Sequence, residues 1–366
     1  MKFRPAYPCP KPGDMALPST IEDISAAWVT KALSLKYPGV VVAGCRIIKV
    51  IHGTTTKIRL GLSYKDFGGS DTLPPTMILK GGFEAHRVPA RDMYVNEVLF
   101  YRDVAPNITI NAPKAYYAGV DWDQPQSLIL MEDLEVKHVT FCHPLFPHKY
   151  AQVSRRLEAM AVYHSQTWNS PELKAGGKME DVLGRFEGWF NVWHGTYLDP
   201  ATYMSYTREP RGAAVSMRLH DPHWMGRVFE KLREIQDTQD VCLIHGDTHL
   251  GNLYEEVDGT PGFFDAQVSR ASWSLEVAYH IIAALDVADR PKYEKALLAH
   301  YLSSLRTNGV NAPSFPEAWE LYLWGAAYGF FIFLINETAF QTEAVNTAYS
   351  VRFASALLEH GIPGQS

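Results

Sequence analysis

His245-Gly246-Asp247-Thr248-His249-Leu250-Gly251-Asn252 follows directly on the apolar run Val241-Cys242-Leu243-Ile244. The next stretch, Asn252 to Asp265, carries Asp258-Gly259 at its centre. Asp-Gly between apolar flanks predicts a hairpin, and that hairpin would return Asp265 to the neighbourhood of Asn252. A buried strand ending in a polar loop is a rigid platform from which side chains project. Asn252 and Asp265 offer hard oxygen ligands of the kind that hold Mg²⁺ against a polyphosphate. Asp247 would sit beside that metal and could accept a proton from a hydroxyl. Each residue alone reads as a cap or a turn. Four in register between two β segments favour chemistry.

The spacing H-x-D-x-x-x-x-N, followed by a metal-holding Asp, is that of a phosphoryl-transfer loop. Such chemistry makes three further demands on the chain. The first is a Lys on the third strand, and Lys80 ends Thr76-Met77-Ile78-Leu79-Lys80. The second is an inward-facing Glu on the next helix. Glu97 shares a helical face with Tyr94 and Tyr101, where a carboxylate is costly unless paired, and Lys80 is the available partner. The third is a phosphate-covering turn between the first two strands, where Gly53-Thr54-Thr55 stands. With one glycine it is a weak signal, although backbone N–H groups and hydroxyls there can contact phosphate.

Outward from these residues, the first third reads as strand-rich. Ser19-Thr20-Ile21-Glu22 predicts a capping box opening a helix through about Leu35. Cys45 to His52 and Thr56 to Tyr64 predict a hairpin, Thr76 to Lys80 a third strand, Ala90 to Asp103 a helix, and Ser127 to Met131 a further strand. Helical spacing dominates from Tyr150 onward. The character changes near Glu132–Leu134, which divides the chain into a strand-rich lobe over 1–132, where the phosphoryl-transfer reading expects the nucleotide, and a helical lobe over 133–366. Residues 1–18 are Pro-rich and read as an irregular arm.

Composition bounds the rest. With 46% hydrophobic and 20% charged residues, the 366-residue chain can bury a sizeable core. Lys plus Arg against Asp plus Glu gives 34 − 40 = −6, which argues against a general nucleic-acid binder. The 4 cysteines form no C-x-x-C, so neither a zinc ribbon nor a disulfide framework is signalled. Met1-Lys2-Phe3-Arg4-Pro5 does not read as a signal peptide. The apolar stretch Leu321–Ile335 falls short of the roughly 20 residues that span a bilayer and reads as a buried helix. The expectation is a cytoplasmic protein with no membrane span.

The loop and the later Phe263-Phe264-Asp265-Ala266-Gln267 resemble the aminoglycoside and choline kinase-like phosphotransferases of the protein-kinase-like superfamily. Leu157 to Trp168 resembles that family's small-residue and His helix. Leu128 to Leu134, LILMEDL, is similar to the hinge of its ecdysteroid-kinase-like branch. The resemblance spans about residues 25–350 and implies an α+β, two-lobed kinase-like fold with ATP and Mg²⁺ as cofactors. It implies Asp247 as base, Asn252 and Asp265 as metal ligands, and Lys80 on the phosphates with Glu97 orienting it. The hinge backbone near Glu132 and Leu134 would hold adenine. His245 would stabilise the loop, and His249 would support it or face substrate. In two places the chain departs from the pattern: Asp265 is followed by Ala266-Gln267 rather than Phe-Gly, and Glu276 stands where the family carries an Asp. No A-P-E segment is present, which disfavours a protein substrate.

The implied partner is a small hydroxyl acceptor. Aromatics between Pro316 and Thr342 are expected to be mostly core, with some lining an apolar acceptor pocket. Alternatively, aromatics with Asp286, Asp289, Glu337 or Glu343 would cage a cation. Two rival functions remain at this level. One is a metal-dependent hydrolase using His245, Asp247 and His249 as a ligand run. The other is a nucleotide-binding pseudokinase, for which the presence of Lys80, Asp247, Asn252 and Asp265 gives no support.

Overall fold

Alternating apolar residues in Thr56–Tyr64 and Thr76–Gly81 build the centre of a five-stranded antiparallel sheet. The computed structural model describes residue 11 and residues 13–65 and 73–365. Residues 1–10 and 12 of the expected arm therefore lie outside the described residues. The chain divides into two units, Met1–Asn107 with Asn111–Val139, and Ile108–Ile110 with Thr140–Ser366.

The first unit opens with a 3-10 turn, Ile21–Asp23, and then α1, Ala26–Ser34. The single helix expected from Thr20 to Leu35 is thus two pieces. Asp23 accepts from the Thr20 amide and hydroxyl, but Ile24 is extended and Ser25 caps α1 afresh, accepting from the Trp28 amide. Next come β1 (Val42–Ile51), β2 (Thr56–Tyr64), β3 (Thr76–Gly81), α2 (Arg91–Leu99), β4 (Ala115–Asp121) and β5 (Gln126–Glu132). The sheet order is β1-β2-β3-β5-β4. Strand β4 has no counterpart in the sequence reading. A π-helical turn, Phe100–Val104, continues α2. Ile58, Leu60, Met77, Leu79, Leu128 and Leu130 bury one sheet face against Val29 and Leu33 of α1. Each such side chain contributes about 1.5–3 kcal/mol by leaving water. Because side chains alternate across a strand, Lys80 points to the face opposite Leu79.

Along the chain the first unit runs on to Val139, beyond the change placed at Glu132–Leu134. The intervening residues stay with the sheet because Arg59 of β2 binds Asp133 at 2.7 Å and Glu135 at 2.6 Å.

The second unit begins with β6, Thr140–Phe141, and α3, Tyr150–Gln166. There follow α4 (Gly188–Leu198), α5 (Pro200–Tyr206), α6 (Pro210–Ala213) and α7 (Pro222–Thr238). Four short strands come next: β7 (Cys242–Ile244), β8 (Leu253–Glu255), β9 (Pro261–Phe263) and β10 (Ser269–Ala271). Helices α8 (Ser274–Ala284), α9 (Arg290–Thr307), α10 (Phe315–Ile335) and α11 (Glu343–His360) complete it. Helix α10 has 21 residues, longer than the apolar run suggested, and is long and apolar enough to cross a membrane. In the structure it is mostly buried and packs on α8: a Cβ at Gly325 would lie 2.5 Å from the Ser274 carbonyl. That close approach is why glycine stands there.

Candidate active site

Strand β7 is fully buried and pairs with β10, with Ile244 opposite Ser269. The Gln267 amide donates to the His245 carbonyl at 2.9 Å, which extends the contact into the polar loop. His245 is 1% exposed, and its Nδ1 accepts from the Asp247 amide at 3.4 Å. Burial lowers its pKa, partly offset by the charges of Glu276, Asp247 and Asp265. The ring therefore shapes the loop.

Asp247 is held on both oxygens. Oδ1 accepts from the Tyr279 hydroxyl at 2.8 Å, and Oδ2 accepts from the Asn252 amide nitrogen at 2.8 Å. Asn252 Nδ2 also donates to the Asp247 carbonyl at 3.0 Å. With its nitrogen committed to Asp247, Asn252 presents its amide oxygen as a potential cation ligand.

Strands β8 and β9 form the expected hairpin, with Leu253 opposite Phe263. The turn is closed by Asp258, whose Oδ1 accepts from the Thr260 amide at 2.9 Å. The Phe264 amide donates to the Asn252 carbonyl at 3.1 Å, so the ladder delivers Asp265 next to Asn252 in the chain fold. Asp265 has φ +59, a left-handed conformation sparsely used by non-glycine residues. Such outliers cluster at functional sites.

Glu276 of α8 accounts for the departure noted in the sequence. It is buried and accepts from the Gly246 amide at 2.8 Å, the Tyr163 hydroxyl at 2.6 Å and His164 Nε2 at 2.8 Å. Burial opposes its charge, but these donors and the nearby His164 pull its pKa down to about 2. It anchors the loop as a carboxylate.

In the first unit, Lys80 Nζ lies 2.5 Å from Glu97 Oε1, with both side chains 4% exposed. The Thr54 carbonyl accepts from the Tyr94 hydroxyl at 2.5 Å and lies 2.9 Å from His86 Nε2. Thr56 donates to Glu84 at 2.5 Å, and His52 pairs with the same carboxylate at 2.9 Å. The turn is thereby fastened at its base. Thr55 is buried, so its hydroxyl is withdrawn from solvent. A Cβ at Gly53 would meet nothing closer than 3.7 Å, so sterics do not require glycine there.

The hinge segment is also fastened. The Glu132 amide donates to the Lys114 carbonyl at 2.9 Å, so a base contact from Glu132 would have to use its own carbonyl. Its carboxylate pairs with Lys137 at 2.9 Å. Leu134 is buried at the start of a 3-10 turn that Asp133 caps.

Of the hydrolase ligand run, His249 Nε2 lies 3.7 Å from Asp247 Oδ2, and His245 turns its Nδ1 to the Asp247 amide. His249 Nδ1 accepts from the Gly251 amide at 2.9 Å, and its Nε2 lies 2.9 Å from the Gln341 side-chain amide. The one metal-like cluster among the described residues is Glu294, Glu359 and His360. Arg290 already occupies it, bonded to Glu294 at 2.7 Å and Glu359 at 2.5 Å.

The aromatic segment is mostly core, as expected. Tyr322, Tyr328, Phe330, Phe331 and Phe333 are buried, whereas Trp319, Trp324 and Phe340 are partly exposed. Of the acidic residues there, Glu343 pairs with Arg211 at 2.8 Å and Glu337 accepts from the Tyr197 hydroxyl at 3.0 Å. Asp286 accepts from the Ala288 amide, and Asp289 is exposed.

Residues 76–310 match the model of the ecdysteroid kinase-like family. The chain belongs to the ecdysteroid kinase-like family. No curated protein matches the sequence. Among solved structures, choline kinase from Cryptosporidium parvum is similar with TM-score 0.54 and 12% identity, covering 87% of this chain and 92% of that one. A variant of aminoglycoside 2'-phosphotransferase-IIIa, solved with GDP, gives TM-score 0.50 at 8% identity, covering 93% of this chain and 100% of that one. At such identities the likeness is one of fold. This ecdysteroid kinase-like chain therefore has the α+β, protein-kinase-like fold, and the resemblance drawn from its loop and hinge holds.

The sequence alone gives no role to Tyr279 or Glu84, and Tyr94 enters it only as a neighbour of Glu97 on one helical face. Tyr279 had a signal, since it lies at i+3 from Glu276 on an apolar helix and carries a hydroxyl that needs a partner.

Proposed function

We propose that this ecdysteroid kinase-like protein transfers the γ-phosphoryl of ATP to a hydroxyl of a small-molecule acceptor. One observation carries the reading. Asn252 donates from its side chain to Asp247 and accepts from Phe264 on its backbone, so the residues proposed as base and metal ligands share one loop and hairpin. The residues fit Mg²⁺: Asn252 offers an amide oxygen, Asp265 a carboxylate, and both are hard donors.

Asp247 positions the acceptor hydroxyl and takes its proton. Tyr279 and Asn252 hold the carboxylate so that it need not reorganise. Lys80, oriented by Glu97, meets the phosphates. The Gly53-Thr54-Thr55 turn covers them with its backbone, and the carbonyl of Glu132 and the amide of Leu134 meet the base. Mg²⁺ on Asn252 and Asp265 would neutralise charge developing on the phosphoryl oxygens. On this reading residues 1–132 serve the nucleotide and 133–366 serve the acceptor and the chemistry.

The test is an acceptor screen of hydroxylated small molecules with MgATP, using Asp247→Ala as control. Asp247→Ala should bind ATP as the unaltered chain does and transfer no phosphate. Turnover retained in that variant would contradict the assignment of the base.

A further inference from the structure

Arg185 belongs to none of the elements that carry the site. It lies between α3 and α4, next to an isolated bridge that pairs Gly184 with Arg270. Its side chain is nevertheless buried, and its guanidinium reaches three groups. Nη2 donates to the Gly246 carbonyl, Nη1 to the Gln267 carbonyl at 3.1 Å, and Nε to the Tyr328 hydroxyl at 2.9 Å. The Phe190 ring centroid lies 4.7 Å from the guanidinium carbon. Among the described residues no carboxylate pairs with it.

A buried cation is costly unless its donors are met. Here backbone carbonyls meet them, in a planar fork that a lysine cannot reproduce. The choice of carbonyls matters. Gly246 immediately precedes Asp247, and Gln267 lies just beyond Asp265. The two loops touch at this point: Gly246 has φ +83, and a Cβ there would lie 2.1 Å from the Gln267 carbonyl oxygen. Two carbonyl oxygens facing the same space repel unless a positive group lies among them. The Gly246 amide is already held by Glu276, so this residue is gripped through both its N–H and its C=O.

We propose that Arg185 is a positioning residue for phosphoryl transfer, fixing the spacing between Asp247 and Asp265 by holding the carbonyls of their two loops in one fork. The purpose of that spacing rests on the kinase reading. The clamp itself rests on geometry alone. Arg185→Lys keeps the charge but reaches one carbonyl at a time, and Arg185→Met removes both bonds.

The experiment uses the full chain and two readouts. The first is ADP release from MgATP without added acceptor, the slow transfer to water. Since a misplacement of about 1 Å costs on the order of 100-fold, Arg185→Met should lose about that factor in kcat and Arg185→Lys about tenfold. The KM for ATP should rise by a smaller factor than kcat falls, because the clamp bonds the backbone beside Asp265 and not its carboxylate. Millimolar guanidinium should restore turnover to Arg185→Ala and none to Asp247→Ala. The second readout is amide hydrogen exchange. In Arg185→Met, the amides of Gly246 and Gln267 should exchange faster together, while those of the β8–β9 hairpin stay protected.

Unchanged exchange at both amides overturns the clamp, whatever the activity. Turnover in Arg185→Met within twofold of the unaltered chain, no rescue by guanidinium, or equal loss of protection in the hairpin would overturn the positioning role. If the unaltered chain releases no ADP either alone or with any acceptor in the screen, the kinase reading and the positioning role both fall, and exchange still decides whether the clamp exists.

Discussion

Lys80 Nζ and Glu97 Oε1 lie 2.5 Å apart, with both side chains withdrawn from water. A buried pair is costly to assemble and costlier to break, since removing one partner strands the other. Lys80→Met and Glu97→Leu are each expected to lower stability by about 3–5 kcal/mol. The double variant should lose less than the sum of the two, because neither charge is stranded. Denaturant unfolding of the three variants measures this. Strictly additive losses would show that the pair is not coupled.

Glu276 predicts an acid limb in stability. Its folded pKa is about 2 against an ordinary 4.5. A depressed carboxylate contributes fully above its unfolded pKa, so this contribution is complete above about pH 4.5 and is lost as pH falls toward 2. Glu276→Gln should lower stability at pH 7 by about 3 kcal/mol, the scale of hydrogen bonds to a charged group. It should also flatten the stability profile between pH 4.5 and 2. Unfolding midpoints across that range check the sign.

His280 predicts a second window with a different upper limit. It is fully buried, with Nδ1 at 2.9 Å from the Thr248 carbonyl. Burial, with a smaller contribution from Arg156, lowers its pKa from 6.5 to about 3. The unfolded chain takes up a proton that the folded chain refuses, so stability falls as pH drops below 6.5 and levels off near 3. His280→Gln should shed part of the loss between pH 6.5 and 4.5, a range in which Glu276 contributes little change.

How far the sequence reveals this site follows from distance along the chain. The loop, the hairpin and Asp265 are legible because their partners are local and the Asp-Gly turn has a strong pattern. Lys80 and Glu97 are legible because an inward carboxylate needs a cation and strand β3 supplies one. Strand β4 is not, since Ala115-Tyr116-Tyr117-Ala118-Gly119 gives no clean alternation; nearly the whole strand is buried. Strand β10 has 3 residues, too few for any period. Arg185 is not legible because its carbonyl partners are 61 and 82 residues away and carry no side-chain signature. The break before α1 lies in a competition between Thr20 and Ser25 as caps, which a sequence alone does not rank.

Gly246→Ala tests the contact between the two loops. The residue has φ +83, and a methyl group would collide with the Gln267 carbonyl. Strain of this kind costs about 1–3 kcal/mol. The loops should part, so the melting temperature should fall and ATP turnover should drop more than stability alone explains. An active, equally stable Gly246→Ala would mean that the loops do not meet as described.

The proposed phosphoryl transfer requires a Mg²⁺-nucleotide site on Asn252 and Asp265. Calorimetric titration of ATP into the purified protein, with and without Mg²⁺ and alongside Asp265→Asn, tests it most directly. Binding that requires Mg²⁺ and is lost in Asp265→Asn is the expected result. Equal binding with and without Mg²⁺, or unchanged Mg²⁺-dependent binding in Asp265→Asn, would contradict it.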